Sequence, residues 1–190
     1  MASFQDRLNQ IVPRLISEQL LANSGLGNEI GFYIFDYPPE SELEMRKHVR
    51  FVLGQLHKEK PELRVKHINL FELVVGYLKD RDLLGRALQL QKDKGDGELL
   101  RALRAPLGAD KIAEVFVRRA EPKEQGLVLI SGVGGVWPLL RTHSVLNNLQ
   151  PLMQNTPLVM FYPGEFTGNG LRLFGRLDEV NYYRAFRLVP

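Results

Sequence analysis

The chain has 190 residues, 25 basic and 22 acidic, with 44% apolar residues and no cysteine. That length closes one sizeable core, so a single domain over 1–190 is expected, and the composition excludes both a disordered and a fibrous chain. A net charge of +3 is too mild to point to nucleic acid, and the missing cysteines exclude disulfides, thiolate metal sites and cysteine nucleophiles, which fits a cytoplasmic setting.

Residues 3–21 place Phe4, Leu8, Ile11, Leu15, Ile16 and Leu20 at helical spacing, with Pro13 as a kink or break. Asp6, Arg7, Arg14 and Glu18 interrupt every apolar run there, so neither a signal peptide nor a spanning helix is expected. A Gly-rich turn at 25–27 precedes a first strand at 30–35, ended by Asp36 and the Pro38-Pro39 pair. A helix over 39–58 carries Leu43, Val49, Val52, Leu53 and Leu56, and a second strand runs from Val65 to Leu70.

The stretch 71–120 reads as helical throughout, broken near Gly95-Asp96-Gly97 and Pro106, a length that suggests a helical insertion. Leu127 to Ser131 is a continuous apolar run of the kind found in parallel strands covered on both faces. The turn Gly132-Val133-Gly134-Gly135 leads to a helix over 138–149 and a fourth strand over 157–162. A glycine-rich loop with Gly164, Gly168, Gly170 and Gly175 then precedes a last extended run over 183–189. Alternating strands and helices of this kind specify an α/β three-layer sandwich with a mainly parallel sheet of about five strands.

In such sheets ligands bind beyond the carboxyl ends of the strands. A phosphate-binding loop after the first strand needs G-x-x-x-x-G-K-[ST], whereas the chain has Asp36-Tyr37-Pro38-Pro39-Glu40, where two prolines remove amide donors and two carboxylates repel phosphate. The glycines at 132, 134 and 135 resemble a dinucleotide fingerprint but fail at its third glycine, where Trp137 stands. The third strand ends in Ser131 and Gly132, without the acidic residues an ATPase uses to place magnesium and water, and Ser131 lacks a nucleophile elbow and reads as structural.

His48, His57, His67 and His143 have no metal spacing and are expected on helix surfaces or in the core. Asp36 is an acid at a strand's carboxyl end that, with Glu40 and Glu42, could hold a divalent ion, but capping the following helix is the favoured reading. The last third interleaves Arg172, Phe174, Arg176, Tyr182, Tyr183, Arg184, Phe186 and Arg187; core or edge packing ranks first for them, a protein interface second and nucleic acid third.

Several stretches together resemble one family: Gly25 to Glu40 (GLGNEIGFYIFDYPPE), His67 to Phe71 (HINLF), Leu127 to Pro138 (LVLISGVGGVWP) with Arg141, His143, Asn147 and Asn148, Pro157 to Gly164 (PLVMFYPG), Leu171 to Arg176 (LRLFGR) and Asn181 to Pro190 (NYYRAFRLVP). The chain is similar, nearly end to end, to the BrxB family of bacterial BREX phage-defence systems. The resemblance implies a P-loop NTPase-like domain without its catalytic loops, which agrees with the residues after the first and third strands. It also implies a non-catalytic adaptor that binds and regulates PglZ, the alkaline-phosphatase-like component, with other BREX proteins as further partners.

No catalytic residue, metal or cofactor is carried over, and none is expected. The partner-binding residues expected are Phe174, Arg176, Tyr182, Tyr183 and Arg184, chosen because Arg and aromatic side chains make strong anchors. Two alternatives stand beside that reading: a nucleic-acid or nucleotide-binding module using Arg172, Arg176, Arg184 and Arg187, and an atypical hydrolase centred on Asp36.

Overall fold

The structure is a computed structural model, which describes residues 3–22, 31–177, 180–181 and 185–190, with backbone alone at 180–181. The expected first helix is three short ones, α1 (Phe4–Asn9), α2 (Ile11–Leu15) and α3 (Glu18–Leu21). Serines cap the first and the last of them, and Ser17 marks the break before α3. Ser3 starts α1 with a reciprocal capping box to Asp6, and Ser17 starts α3 by accepting from the Leu20 amide. Pro13 lies in the first turn of α2, where an amide has no intrahelical partner to lose. Leu8, Ile11, Leu15 and Leu20 are buried, so the expected apolar face is present although the helix carrying it is segmented.

Strand β1 (Phe32–Tyr37) leads through a 3₁₀ turn at Pro39–Ser41 into α4 (Glu42–Glu59) and β2 (Val65–Asn69). Next come α5 (Leu70–Asp80), α6 (Leu84–Leu103) and α7 (Ala109–Ala120), then β3 (Leu127–Ser131), α8 (Thr142–Met153) and β4 (Leu158–Phe166). Short strands β5 (Gly170–Leu173), β6 (Val180–Asn181) and β7 (Phe186–Arg187) complete the chain. The main sheet has the order β2-β3-β4-β1-β7 and is parallel at every pairing.

The crossover from β1 to β2 passes two strands in one direction, while those from β2 to β3 and from β3 to β4 return in the other. Right-handed connections therefore put α4 on one face and α5 to α8 on the opposite one. The core divides accordingly. Phe35, Met45, Val52, Leu129 and Phe161 belong to one cluster, together with the N-terminal helices. Ile34, Phe116, Ile130, Leu149 and Met160 belong to the other. Along β3, Leu127 and Leu129 face the first cluster and Val128 and Ile130 the second, which is why that run is apolar without alternation. The stretch 71–120 is not one appended block: α5 and α7 bury residues in the second cluster, whereas 91–97 of α6 are exposed around a kink at Gly95.

The largest departure from expectation lies after residue 162. Instead of ending there, β4 continues to Phe166 and turns back as an antiparallel hairpin with β5, which pairs in turn with β6. Gly164 permits this close pairing, because a Cβ there would stand 2.2 Å from the Arg172 carbonyl oxygen. A loop reading of these glycines overlooked that a glycine inside a strand also marks close backbone approach.

Asp36 corrects a second expectation. Neither the turn at Pro39–Ser41 nor α4 has a side-chain cap, so Asp36 caps no helix. Its carboxylate, only 10% exposed, receives Arg7 Nη2 at 2.6 Å, Arg187 Nη1 at 2.8 Å from both oxygens, and the Phe166 amide at 3.0 Å. Arg7 Nη1 also donates to the Asp36 carbonyl, Arg7 Nη2 to that of Val189, and Arg187 Nη2 to that of Phe166. With two guanidiniums and an amide on it, Asp36 offers no vacant carboxylate to a divalent ion or to catalysis.

Removing that carboxylate leaves two cations without their counter-charge. Asp36→Asn is expected to destabilise the fold by about 3 kcal/mol in a denaturant titration. Glu124→Gln, which removes an exposed pair with Arg64 at 3.1 Å, is expected to change stability by less than ~0.5 kcal/mol.

Candidate functional site: an aromatic and basic face at the strand ends

The carboxyl ends of β2 and β3 meet at a tightly constrained glycine turn. Asn69 caps α5, its Oδ1 accepting from the Phe71 and Glu72 amides at 3.0 and 3.2 Å. Gly132 passes directly over that cap: its φ is +71°, and a Cβ would stand 2.1 Å from Asn69 Oδ1. A Cβ at Gly134 would meet the Phe174 ring at 2.9 Å and Pro163 at 3.0 Å, while one at Gly135 would meet Phe71 at 3.3 Å. The glycines thus serve to let two aromatic side chains lie on bare backbone, and no phosphate loop is formed.

What results is an exposed aromatic cluster. Phe71 is 48% exposed and Trp137 43%, and the Trp137 ring stands edge-on to Phe174 with centroids 6.3 Å apart. The Trp137-Pro138 peptide bond is cis. Arg176 is exposed just beyond Phe174, and Arg141 is exposed at the start of α8. Further apolar exposure occurs on α4, at Leu43 and Phe51, which belongs to the opposite face of the sheet.

Of the five expected partner-binding residues, Phe174 and Arg176 lie at this face, while Tyr182, Tyr183 and Arg184 fall outside the described residues. Phe71 and Trp137, which are not among those five, lie at the same face. The signal for them was the GVGGVWP segment, whose glycines leave room for rings supplied from elsewhere. Of the arginines proposed for phosphate, Arg187 is engaged by Asp36 and Arg172 stands 3.6 Å from Glu165.

His67 Nε2 lies 2.8 Å from Ser131 Oγ across β2 and β3, where neighbouring strands hold Asn69 opposite Ser131. Burial lowers the His67 pKa, partly opposed by Glu72. His48 and His143 are also lowered, first by burial. On the strand-one side, the Tyr37 hydroxyl donates to Glu42, and burial together with that bond pushes the Tyr37 pKa up. Among the described residues no group of three His, Asp or Glu side chains is placed to hold a metal, and no helix is long and apolar enough to cross a membrane.

Fold and site together define a doubly wound α/β domain whose strand-end face is aromatic and basic. The BrxB family model, described as BREX protein BrxB, matches residues 66–188. The chain is 40% identical over 184 residues to a BREX protein BrxB of Escherichia coli O9:H4 (strain HS), covering 97% of this chain and 90% of that one. It is 37% identical over 193 residues to a BREX protein BrxB of Bacillus cereus (strain H3081.97), covering 100% and 99%. The chain belongs to the BrxB family. No solved structure matches it.

Gly132→Ala combines a strained positive φ with displacement of the α5 cap and is expected to cost about 2 kcal/mol or more. Gly168→Ala, at φ +94° but with open space around it, bears the backbone term alone and is expected to cost less than Gly132→Ala in the same denaturation assay. For the histidines, a folded pKa below the unfolded value of about 6.5 means that the unfolded chain takes up protons first on acidification. Stability is therefore expected to fall as pH drops from about 7.5 towards 5.5, and His67→Gln to flatten that slope.

Proposed function

We propose that the protein is a non-catalytic adaptor subunit of a BREX phage-defence assembly and that it binds PglZ through the face formed by Phe71, Trp137, Phe174, Arg141 and Arg176. The carrying observation is the exposure of Phe71 and Trp137 around one glycine turn, with Arg141 and Arg176 at its margins. Aromatic and arginine side chains at the centre of a patch are what interface hot spots favour, whereas isolated surface apolar residues mean little. The setting is cytoplasmic, with other BREX proteins as further partners of the same assembly.

Lack of catalysis is supported by what occupies the crevice where doubly wound folds hold ligands. Connections leave β1 and β3 towards opposite faces, which makes the strand ends around β4 the natural ligand position. Here the protein's own β4–β5 hairpin crosses part of that position, tied to β1 by the Asp36 carboxylate. Tyr37-Pro38-Pro39 stands where a phosphate loop would follow β1. These features fit a P-loop-like scaffold adapted for holding a partner, with α6 and its kink as a helical insertion. The nucleic-acid reading is weakened because Arg187 is committed to the fold.

Co-expression with PglZ followed by size-exclusion chromatography with light scattering tests the proposal. A stable complex is expected, with Trp137→Ala and Arg176→Ala each weakening it about tenfold or more while leaving the isolated protein folded. A complex indifferent to both substitutions contradicts the choice of face, and no complex at micromolar concentration contradicts the choice of partner.

A further inference from the structure

At the margin of the aromatic face, sharing Trp137 and Arg141 with it, a cleft of about 220 Å³ opens between the start of α8 and strands β4 and β5. We propose that this cleft binds a small phosphate ester, with the phosphate at the N-terminus of α8 and one ring of the ester body against Trp137 and the leucines of β5.

Among the described residues the polar wall of the cleft consists of Arg141, Thr142, His143 and Tyr162, with no carboxylate. Tyr162 is 2% exposed and Thr142 7%, yet neither hydroxyl has a hydrogen-bond partner among the described residues. The side-chain polar atom among them that is both fully enclosed and unpaired is Arg7 Nε, so these two hydroxyls are not sealed in the core and open on the cleft they line. Two hydroxyls held in a buried wall without an acceptor among the described residues are placed to serve a ligand. Burial raises the Tyr162 pKa, which keeps the phenol a donor.

Helix α8 has twelve residues and no side-chain cap. The Arg141 carbonyl takes the Ser144 and Val145 amides at 3.0 and 3.2 Å, which leaves the Thr142 and His143 amides in the turn whose N–H groups have no intrahelical acceptor. The helix dipole adds partial positive charge there. The Arg141 guanidinium makes no ion pair among the described residues; burial, and after it this guanidinium, lowers the His143 pKa.

Donors and positive charge, without a carboxylate among the described residues, favour an anion over a metal ion. Two hydroxyls, two amides and a guanidinium exceed what one carboxylate accepts and suit the three terminal oxygens of a phosphate monoester. The opposite wall is apolar, from Leu171, Leu173 and Leu177, and the exposed Trp137 ring stands at its edge. The volume is below that of a typical drug-sized site, which limits the body to about one ring.

The test uses the full chain, phenyl phosphate and inorganic phosphate as probes, and benzyl alcohol as the ring without phosphate, followed by calorimetry and amide NMR. Phenyl phosphate is expected to bind about tenfold or more tighter than inorganic phosphate, to shift the Thr142 and His143 amides, and to outcompete benzyl alcohol. Tyr162→Phe and Thr142→Val should each lower its affinity about tenfold, as for loss of a hydrogen bond to a charged group, without lowering the melting temperature. The amide shifts in the unsubstituted protein keep the test intact should either variant fold poorly. Absence of saturable binding at low millimolar phenyl phosphate, or binding unchanged in both variants, overturns the site. Equal affinity for phenyl and inorganic phosphate overturns the ring-bearing ester.

Discussion

The carboxylate of Asp36 organises the carboxyl-end edge of this protein. It stands at the end of β1 and is held by Arg7 from α1, Arg187 from β7 and the Phe166 amide from the end of β4. Four segments remote in sequence are thereby fixed at one point. A buried ion cluster of this kind is weak evidence for net stability, because desolvation offsets much of the attraction, but it tolerates only one arrangement of its partners. The hairpin of β4 and β5 is therefore tied across the strand ends beside β1.

The second constraint is steric. Gly132 crosses the Asn69 cap, and Gly134 and Gly135 lie beneath Phe174 and Phe71. A Cβ at Gly132 would displace the Asn69 cap, one at Gly134 the Phe174 ring, and one at Gly135 would crowd Phe71, so the turn and the aromatic face are one construction. The hairpin held by Asp36 delivers Phe174 to that turn, which connects the ion cluster to the proposed interface. The same hairpin supplies Leu171 and Leu173 to the neighbouring cleft, so interface and cleft share one wall.

Much of the fold was legible in the sequence because burial on both faces imposes continuous apolar runs. β3 occupies the expected residues, and β2 and α4 depart by one to three residues at their ends. The N-terminal helix was legible as an apolar face but not as three helices, since its serine caps carry a weaker signal than the periodicity. The hairpin was missed because its glycines read as loop formers, whereas Gly164 is there for close strand pairing. Asp36 was singled out by its position at a strand end. Its partners Arg7 and Arg187 lie 29 and 151 residues away, a pairing that no local pattern contains. Phe174 and Arg176 were singled out by composition, while Phe71 and Trp137 became candidates only once the turn placed them around the same glycines.

Hydrogen exchange of the isolated protein and of its complex with PglZ tests the central claim most directly, because it reports the buried surface without altering any residue. The account predicts new protection concentrated at 132–137 and 174–176, with α4 unchanged. Protection confined to α4, around the exposed Leu43 and Phe51, with none at the glycine turn, would contradict it.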